Sequence, residues 1–175
     1  PAVFTSGFYH DDWTILEHSS QPEPVKTMLK EGFGVRPLNV VTFPVLYKVF
    51  GNEPLPWHVL IFALHFLASV LLFKVLGGSE WALWAAVLAG TVPNHSVTHH
   101  WISSIPQTMA ICLALASCLS PSVLVSMVLF ALALSSYESV AFLTPVLLWS
   151  RGFKLRGIAM RTATPLIAAF IWQSQ

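Results

Sequence analysis

The sequence predicts an all-α membrane protein: a polytopic bundle of transmembrane helices with a short helix at the membrane interface. Two observations lead to this prediction. The 175 residues are 55% hydrophobic and only 10% charged, whereas a soluble domain has about 25% charged residues with which to cover its surface. Several apolar runs also approach or reach the roughly 20 residues that a helix needs to cross a bilayer. This composition excludes an ordinary soluble enzyme and a disordered or collagen-like chain.

Net charge and cysteine content exclude two further classes of protein. A formal net charge of +1 gives no electrostatic basis for binding nucleic acid, which depends on many contacts from basic residues to phosphates. Two cysteines cannot form the network of disulfides that stabilises small secreted domains. We therefore expect the lipid bilayer to be the main surroundings of the chain.

The distribution of charge divides the chain into three parts. Residues 1–36 hold eight of the 17 charged residues and no long apolar run, so we predict a polar extracytoplasmic segment there. Residues 37–50 predict an amphipathic helix that is too short to span and lies at the interface. Residues 51–175 are the predicted transmembrane helical domain. Because the chain begins at Pro1 without an initiator Met and stops just after an apolar stretch, we expect a fragment, a processed product or an incompletely assigned sequence.

Proline, glycine and serine mark the expected ends of the membrane helices. Proline suits the first turn of a helix, where its missing N–H needs no partner, and a run from Pro54 to Leu76 ends at the pair Gly77 and Gly78. Ser79 is the expected N-cap of the helix that follows. The remaining helices are predicted over residues 80–92, 101–119, 122–134 and 139–149.

Basic residues decide whether residues 121–150 form one long helix or two short ones. Two helices that meet at residues 135–138 put the basic cluster on the cytoplasmic side, as the positive-inside rule requires, whereas one long helix puts it outside. We therefore predict two helices, in either a bacterial inner membrane or the endoplasmic reticulum. The N-terminal segment, the loop at residues 94–100 and Glu138 then lie on the extracytoplasmic or luminal face. The basic cluster consists of Arg151, Lys154, Arg156 and Arg161.

Polar residues on this outer face are the candidates for a functional site, because polar groups at membrane depth are costly and often functional. Asp11 and Asp12 are adjacent, and a nearby negative charge raises the pKa of a carboxylate towards the range of a general base. A helix cap or a water-facing pair would explain them equally well. Arg36 precedes a short helix, where a guanidinium can bind phosphate or anchor the chain at the interface. Glu138 is the only acidic residue after Glu80.

Histidines raise the question of a metal or a pigment. His95 and His99 are four residues apart, which puts them on one face of a helix, and His100 follows directly. No carboxylate lies in that loop, so we predict no metal site. His65 stands in the middle of a predicted membrane helix, where it could ligate a haem or chlorin pigment or form a hydrogen bond to a neighbouring helix. We expect no cofactor, with a pigment at His65 as the alternative.

The order of these motifs resembles the N-terminal half of the polytopic glycosyltransferases with the GT-C fold, especially the protein O-mannosyltransferase-like members. In that family an acidic pair in the first outer loop precedes a segment of tyrosine or arginine followed by Pro-Leu, and then an interfacial helix, similar to residues 10–13 and 36–38 here. A helix with histidines, an outer loop with proline and histidine, and a turn with a glutamate follow in that family. They are similar to residues 57–65, 93–103 and 135–138.

The resemblance implies a membrane glycosyltransferase, or a fragment of one, that transfers a sugar from a polyprenyl-phosphate donor to an acceptor on the outer or luminal face. Asp11 or Asp12 would be the catalytic base that deprotonates the acceptor, and Arg36 would contact the donor phosphate. Four residues would position the acceptor: Glu138, His95, His99 and His100.

An alternative interpretation is a non-catalytic transmembrane subunit of a larger complex, for example an energy-transducing one, with a fold derived from this family. Helices as short as those at residues 80–92 and 122–134 are poorly matched to the bilayer thickness. Other membrane subunits are therefore expected to cover them. The two interpretations share the fold and the membrane, and they differ in whether the chain turns over a substrate.

Overall fold

A computed structural model describes residues 7–91 and 101–143 of the chain. Within these two ranges every regular element is a helix and no strand is present, in agreement with the predicted all-α class. The predictions made for residues 92–100 and 144–175 lie outside the described residues. They include His95, His99 and His100 and the basic cluster at 151–161.

Two helices form in the N-terminal segment, for which the sequence analysis predicted only a polar character. Helix α1 spans His10–Ser20 and helix α2 spans Pro24–Lys30, and a short 3₁₀ turn at Phe33–Val35 follows. Both helices pack against helix α3 (Pro37–Phe50). They contribute Ile15, Leu16 and Met28 to the same hydrophobic core as residues of α3. The polar segment is therefore part of the folded core.

Helices α3 and α4 have the ends that the sequence predicts. Helix α3 has the predicted range of residues 37–50, and helix α4 spans Pro54–Val75. Proline occupies the first turn of each helix. After α4, Gly77 and Gly78 have φ angles of 86° and 70°, which glycine adopts without the steric cost that other residues incur. These two glycines therefore end the helix and turn the chain.

A serine hydroxyl caps the next helix. Helix α5 spans Glu80–Thr91, and the hydroxyl of Ser79 accepts the backbone N–H of Ala82 at 3.2 Å, which confirms the predicted N-cap. Helix α6 spans Ile105–Leu119 and is preceded by a 3₁₀ turn at Ile102–Ser104.

The chain breaks where two helices were predicted to meet. Helix α7 spans Val123–Ser136, and Tyr137 has extended backbone angles. A 3₁₀ segment over Glu138–Leu143 follows. The prediction that residues 121–150 do not form one continuous helix is therefore confirmed over the described residues.

Helix α6 packs between α4 and α7, and α5 packs against α4. Alanines supply much of the contact between α6 and α7, and such small side chains allow two helices to approach closely. This second core contains Ala110, Ala114, Leu115, Phe130, Ala133, Leu134 and Val140.

Within the described residues, two helical stretches are long and apolar enough to cross a membrane. They are α4, with a mean hydropathy of 2.1, and residues 102–119, with a mean hydropathy of 1.6. Only 11% of the most apolar window of α4 is buried within the protein, and Phe66 in its middle is 74% exposed. A continuous exposed apolar surface of this kind is rare on a soluble monomer. Length, hydropathy and exposure together support integration into a membrane.

Candidate functional site

A cavity of about 560 Å³ lies between α1, the turn that follows α2, α3 and the start of α6. Asp11 and Arg36 both line it, as do Glu31, Asn39 and Ser103. Its volume is within the range of about 300–1,000 Å³ that is typical of sites for small molecules. The structure therefore brings two of the predicted site residues to one cavity.

Asp12, in contrast, is a buried residue whose carboxylate holds two segments of backbone. Its side chain is fully buried, and its two carboxylate oxygens accept the backbone N–H groups of Tyr9 and Ser103, each at 3.0 Å. The first of these bonds caps the start of α1, and the second joins α1 to the 3₁₀ turn before α6. Although the two residues are adjacent in the sequence, the Asp11 carboxylate is exposed and the Asp12 carboxylate is buried. Only Asp11 can therefore be reached from solvent.

Burial is the largest cause of the pKa shift at Asp12. It raises the pKa of the carboxyl, while the backbone N–H groups of Tyr9, Ser103 and Ile102 oppose that rise. From the sequence, a raised pKa within this pair was expected from repulsion between neighbouring carboxylates. The structure instead gives desolvation, which penalises the charged form of any buried acid.

Arg36 and Glu138 form an ion pair although they are 102 residues apart in the sequence. The Nε and Nη2 groups of Arg36 donate to the two carboxylate oxygens of Glu138 at 2.9 and 2.7 Å. The guanidinium carbon also lies 4.2 Å from the centre of the Tyr137 ring. The hydrogen bonds from Arg36 hold the pKa of Glu138 below its usual value, and those to Glu138 raise the pKa of Arg36.

This ion pair bears on the roles that were predicted for both residues, which stay predictions. Arg36 was predicted to contact a donor phosphate and Glu138 to position an acceptor. In the structure two of the five N–H groups of the guanidinium are bound by a carboxylate, which matches the positive charge. Bidentate pairing also fixes the orientation of the guanidinium plane. Glu138 therefore orients the Arg36 guanidinium and balances its charge.

A buried network of polar side chains lies next to this pair and was not predicted. The side-chain amide of Asn39 donates to the backbone oxygen of Ser136 at 3.0 Å. The Ser136 hydroxyl donates to the backbone oxygen of Pro106 at 2.8 Å, with Asn39 Oδ1 as a longer acceptor at 3.3 Å. The network joins α3, α6 and α7, and two of its members line the cavity. The Ser-Ser pair at the predicted break was the only sequence signal for it.

Two histidines of helix α4 lie in different surroundings. His58 is fully buried, and neither of its ring nitrogens has a hydrogen-bond partner among the described residues. The imidazole lies close enough to Asp12 to interact electrostatically with the Asp12 carboxyl. The Nδ1 atom of His65 is 2.9 Å from the backbone oxygen of Ile61 in its own helix. His65 lines an apolar groove of about 420 Å³ between α4 and α5 and a second cavity of about 200 Å³ between α4, α5 and α6. Over residues 7–91 and 101–143 no three His, Cys, Asp or Glu side chains are grouped as metal ligands.

Comparison with known protein families, with characterised proteins and with solved structures finds no match to this chain. The resemblance to GT-C glycosyltransferases therefore depends on the order and membrane setting of the motifs.

Proposed function

We propose that this chain is a membrane-embedded glycosyltransferase, or a fragment of one, that uses a polyprenyl-phosphate sugar, with the 560 Å³ cavity as its acceptor site. One observation carries the proposal. Asp11 and Arg36 line the same cavity, and Glu138 binds Arg36 at its edge. Three residues that the motif order singles out, from three distant segments, thus lie together next to a space of substrate size.

Asp11 is the better candidate for the catalytic base. A base must reach the acceptor proton, either directly or through one water molecule, and Asp11 is exposed and lines the cavity. Asp12 is fully buried and both of its oxygens already accept backbone N–H groups. The choice between the two carboxylates, which the sequence leaves open, therefore falls on Asp11.

The proposed reaction is a displacement at the anomeric carbon of the sugar. An acceptor hydroxyl or amine attacks this carbon, and a new C–O or C–N bond forms while the bond from carbon to the phosphate oxygen breaks. The acceptor proton passes to the Asp11 carboxylate, and the bonding electron pair leaves with the polyprenyl phosphate. Because Glu138 already matches the charge of Arg36, we assign the ion pair to the wall of the acceptor site and no longer to binding of the donor phosphate.

The proposed location is a bacterial inner membrane or the endoplasmic reticulum, with α1, α2 and the cavity on the outer or luminal face. Support comes from the exposed apolar surface of α4 and from the concentration of charged residues in the N-terminal segment. A site at this face would receive the acceptor from water and the donor from the lipid.

Sugar transfer by the full chain tests the proposal. The chain is reconstituted in lipid nanodiscs with a polyprenyl-phosphate mannose labelled in the sugar and with a peptide that offers serine, threonine and amino groups. Loss of a general base lowers rates by about 10²–10⁴-fold, so Asp11→Asn should abolish transfer within detection. Glu17→Gln, an exposed carboxylate elsewhere on α1, is the matched control and should keep wild-type transfer. Equal transfer by Asp11→Asn and wild type would refute the assignment.

A second candidate function is that of a non-catalytic subunit of a membrane complex. Helix α5 has 12 residues and is about 18 Å long at 1.5 Å per residue, so it cannot span a bilayer. It nevertheless exposes 85% of Trp81, 56% of Trp84 and 59% of Leu88. Aromatic and apolar side chains of this kind are typical of the buried centre of a protein interface. Purification with other membrane subunits in fixed stoichiometry, without sugar transfer, would favour this candidate.

A further inference from the structure

We propose that helices α4, α5 and α6 form a binding site at membrane depth for a quinone, a lipid-soluble ligand with an uncharged carbonyl head group and an apolar chain. The head group binds in the cavity of about 200 Å³ between the three helices, and the chain follows the apolar groove of about 420 Å³ between α4 and α5. This site shares no lining residue with the 560 Å³ cavity. Quinone binding therefore goes beyond the proposed function and does not depend on it.

The groove and the smaller cavity adjoin at a close contact between α4 and α5. Both are lined by His65, Ser69 and Gly90. A Cβ atom at Gly90 would lie 2.7 Å from the Ser69 hydroxyl oxygen, which is closer than two such atoms can approach without a shift. Glycine at this position therefore leaves the Ser69 hydroxyl in place, where its residue lines both spaces.

The smaller cavity has polar side chains from two different helices. Ser69 of α4 and Gln107 of α6 line it, and neither side chain forms a hydrogen bond within residues 7–91 and 101–143. A hydroxyl or an amide in the hydrocarbon of a membrane is costly unless it finds a partner. Both groups can donate a hydrogen bond. Donors on two helices match a ring that carries a carbonyl oxygen on each of two sides.

The depth of the site separates a quinone from other lipids with carbonyl groups. Ser69 is six residues before the end of α4 at Val75, which is about 9 Å at 1.5 Å per residue, and it is about 22 Å from the start of the helix. In a spanning α4 it lies within the hydrocarbon core of roughly 30 Å. The ester carbonyls of phospholipids lie outside that core, and a charged head group within it is costly. A quinone brings carbonyl oxygens to this depth without a charge.

The groove along α4 suits the chain of such a ligand. Its lining is almost entirely apolar and includes Phe62, Phe66 and Phe73 of α4 with Leu83 and Val87 of α5. Phe62 and Phe66 are also exposed at the surface of the protein, so the groove opens towards the lipid. Its volume is within the range that is typical of sites for small molecules. A lipid-soluble ligand can therefore enter from the bilayer and cover these side chains.

Retention of tritium-labelled 2-decyl-1,4-benzoquinone by the full chain in nanodiscs tests the proposal, with empty nanodiscs as the blank for partition into lipid. Retention should saturate at one quinone per chain. Decylbenzene has the same ring and chain without the oxygens, and it should compete at least about tenfold more weakly than unlabelled quinone. Farnesol, an isoprenoid chain with one hydroxyl, should also compete weakly. Equal competition by decylbenzene or farnesol, or retention no greater than that of empty nanodiscs, would overturn the proposal.

Variants of the two polar side chains locate the head group. Because each side chain donates one hydrogen bond to the quinone, Ser69→Ala and Gln107→Leu should each lower quinone affinity several-fold and leave the affinity for decylbenzene unchanged. Ser135→Ala is the matched control, since the Ser135 hydroxyl donates to the Ala131 carbonyl within α7 and lines neither space; it should alter neither affinity. Wild-type quinone affinity in both Ser69→Ala and Gln107→Leu would refute the site.

Gly90→Ala tests the position of the Ser69 hydroxyl without removing it. The added Cβ atom would displace that hydroxyl, so the variant should lose as much quinone affinity as Ser69→Ala does. Adding Gly90→Ala to Ser69→Ala should cause no further loss, because the hydroxyl is already absent. The melting temperature of each variant without quinone shows that it is folded. A larger loss in the double variant, or wild-type affinity in Gly90→Ala, would contradict the proposed contact.

Discussion

Replacing Asp12 with Asn tests whether this carboxylate is a structural cap or part of the reaction. The fully buried side chain accepts the N–H groups of Tyr9 and Ser103, and a hydrogen bond to a charged group contributes about 1.5–3 kcal/mol. Asn retains one carbonyl oxygen, so one of the two N–H groups must face an NH₂ group that cannot accept it. The substitution also removes the cost of burying a charge, which offsets part of the loss. We expect a net decrease of about 1–3 kcal/mol in the free energy of unfolding.

Thermal unfolding in lipid nanodiscs measures this decrease. For a chain of this size 1 kcal/mol corresponds to about 2–4 °C, so a loss of about 2 kcal/mol lowers the melting temperature by about 4–8 °C. Asp11→Asn is the matched control, because the neighbouring carboxylate is exposed and surface changes usually stay within about 0.5 kcal/mol. If Asp11→Asn costs as much stability as Asp12→Asn, the division of roles between the two carboxylates is wrong.

Three further predictions concern the ion pair, the buried network and the membrane. Glu138→Gln should cost only about 0.5–1 kcal/mol, since the pair with Arg36 is partly exposed. Because the pKa of Glu138 is lowered on folding, wild type should lose this contribution as the pH falls below the ordinary value of 4.5, and the variant should show no such loss; identical pH profiles would contradict the pair. Ser136→Ala removes the buried hydroxyl that donates to the Pro106 carbonyl and to Asn39 Oδ1 and should cost about 1–3 kcal/mol by thermal unfolding; no change in stability would contradict a stabilising role of the network. Phe66→Lys puts a charge mid-helix in α4, at a cost of about 3 kcal/mol in a membrane, and should lower the membrane-bound fraction; an unchanged fraction would argue against a spanning α4.

The helix ends of the membrane domain could be predicted because local chemistry determines them. Proline at position 54, the glycine pair at 77–78 and the serine cap at 79 each act on their own turn of the chain. Helices α1 and α2 were missed for the opposite reason. Their many charged residues obscure the apolar side that packs on α3, and a carboxylate that reaches across to the turn before α6 holds α1 in place.

The site could be predicted only in part. Of the predicted site residues, the structure describes Asp11, Asp12, Arg36 and Glu138 and places all four around one region. The sequence could not predict that Arg36 and Glu138 bind each other, because contacts between residues 102 positions apart leave no periodic pattern in a single sequence. Nor could it divide the roles of the two aspartates, since burial of one and exposure of the other follow from tertiary packing.

Sugar transfer by the reconstituted chain, compared between wild type and Asp11→Asn, tests the central claim most directly. The account predicts labelled acceptor from wild type and a decrease of at least about 100-fold in the variant, with the melting temperature unchanged. Glu17→Gln should transfer sugar as wild type does. Transfer by Asp11→Asn at the wild-type rate would contradict the claim that the cavity beside α1 is the acceptor site of a glycosyltransferase.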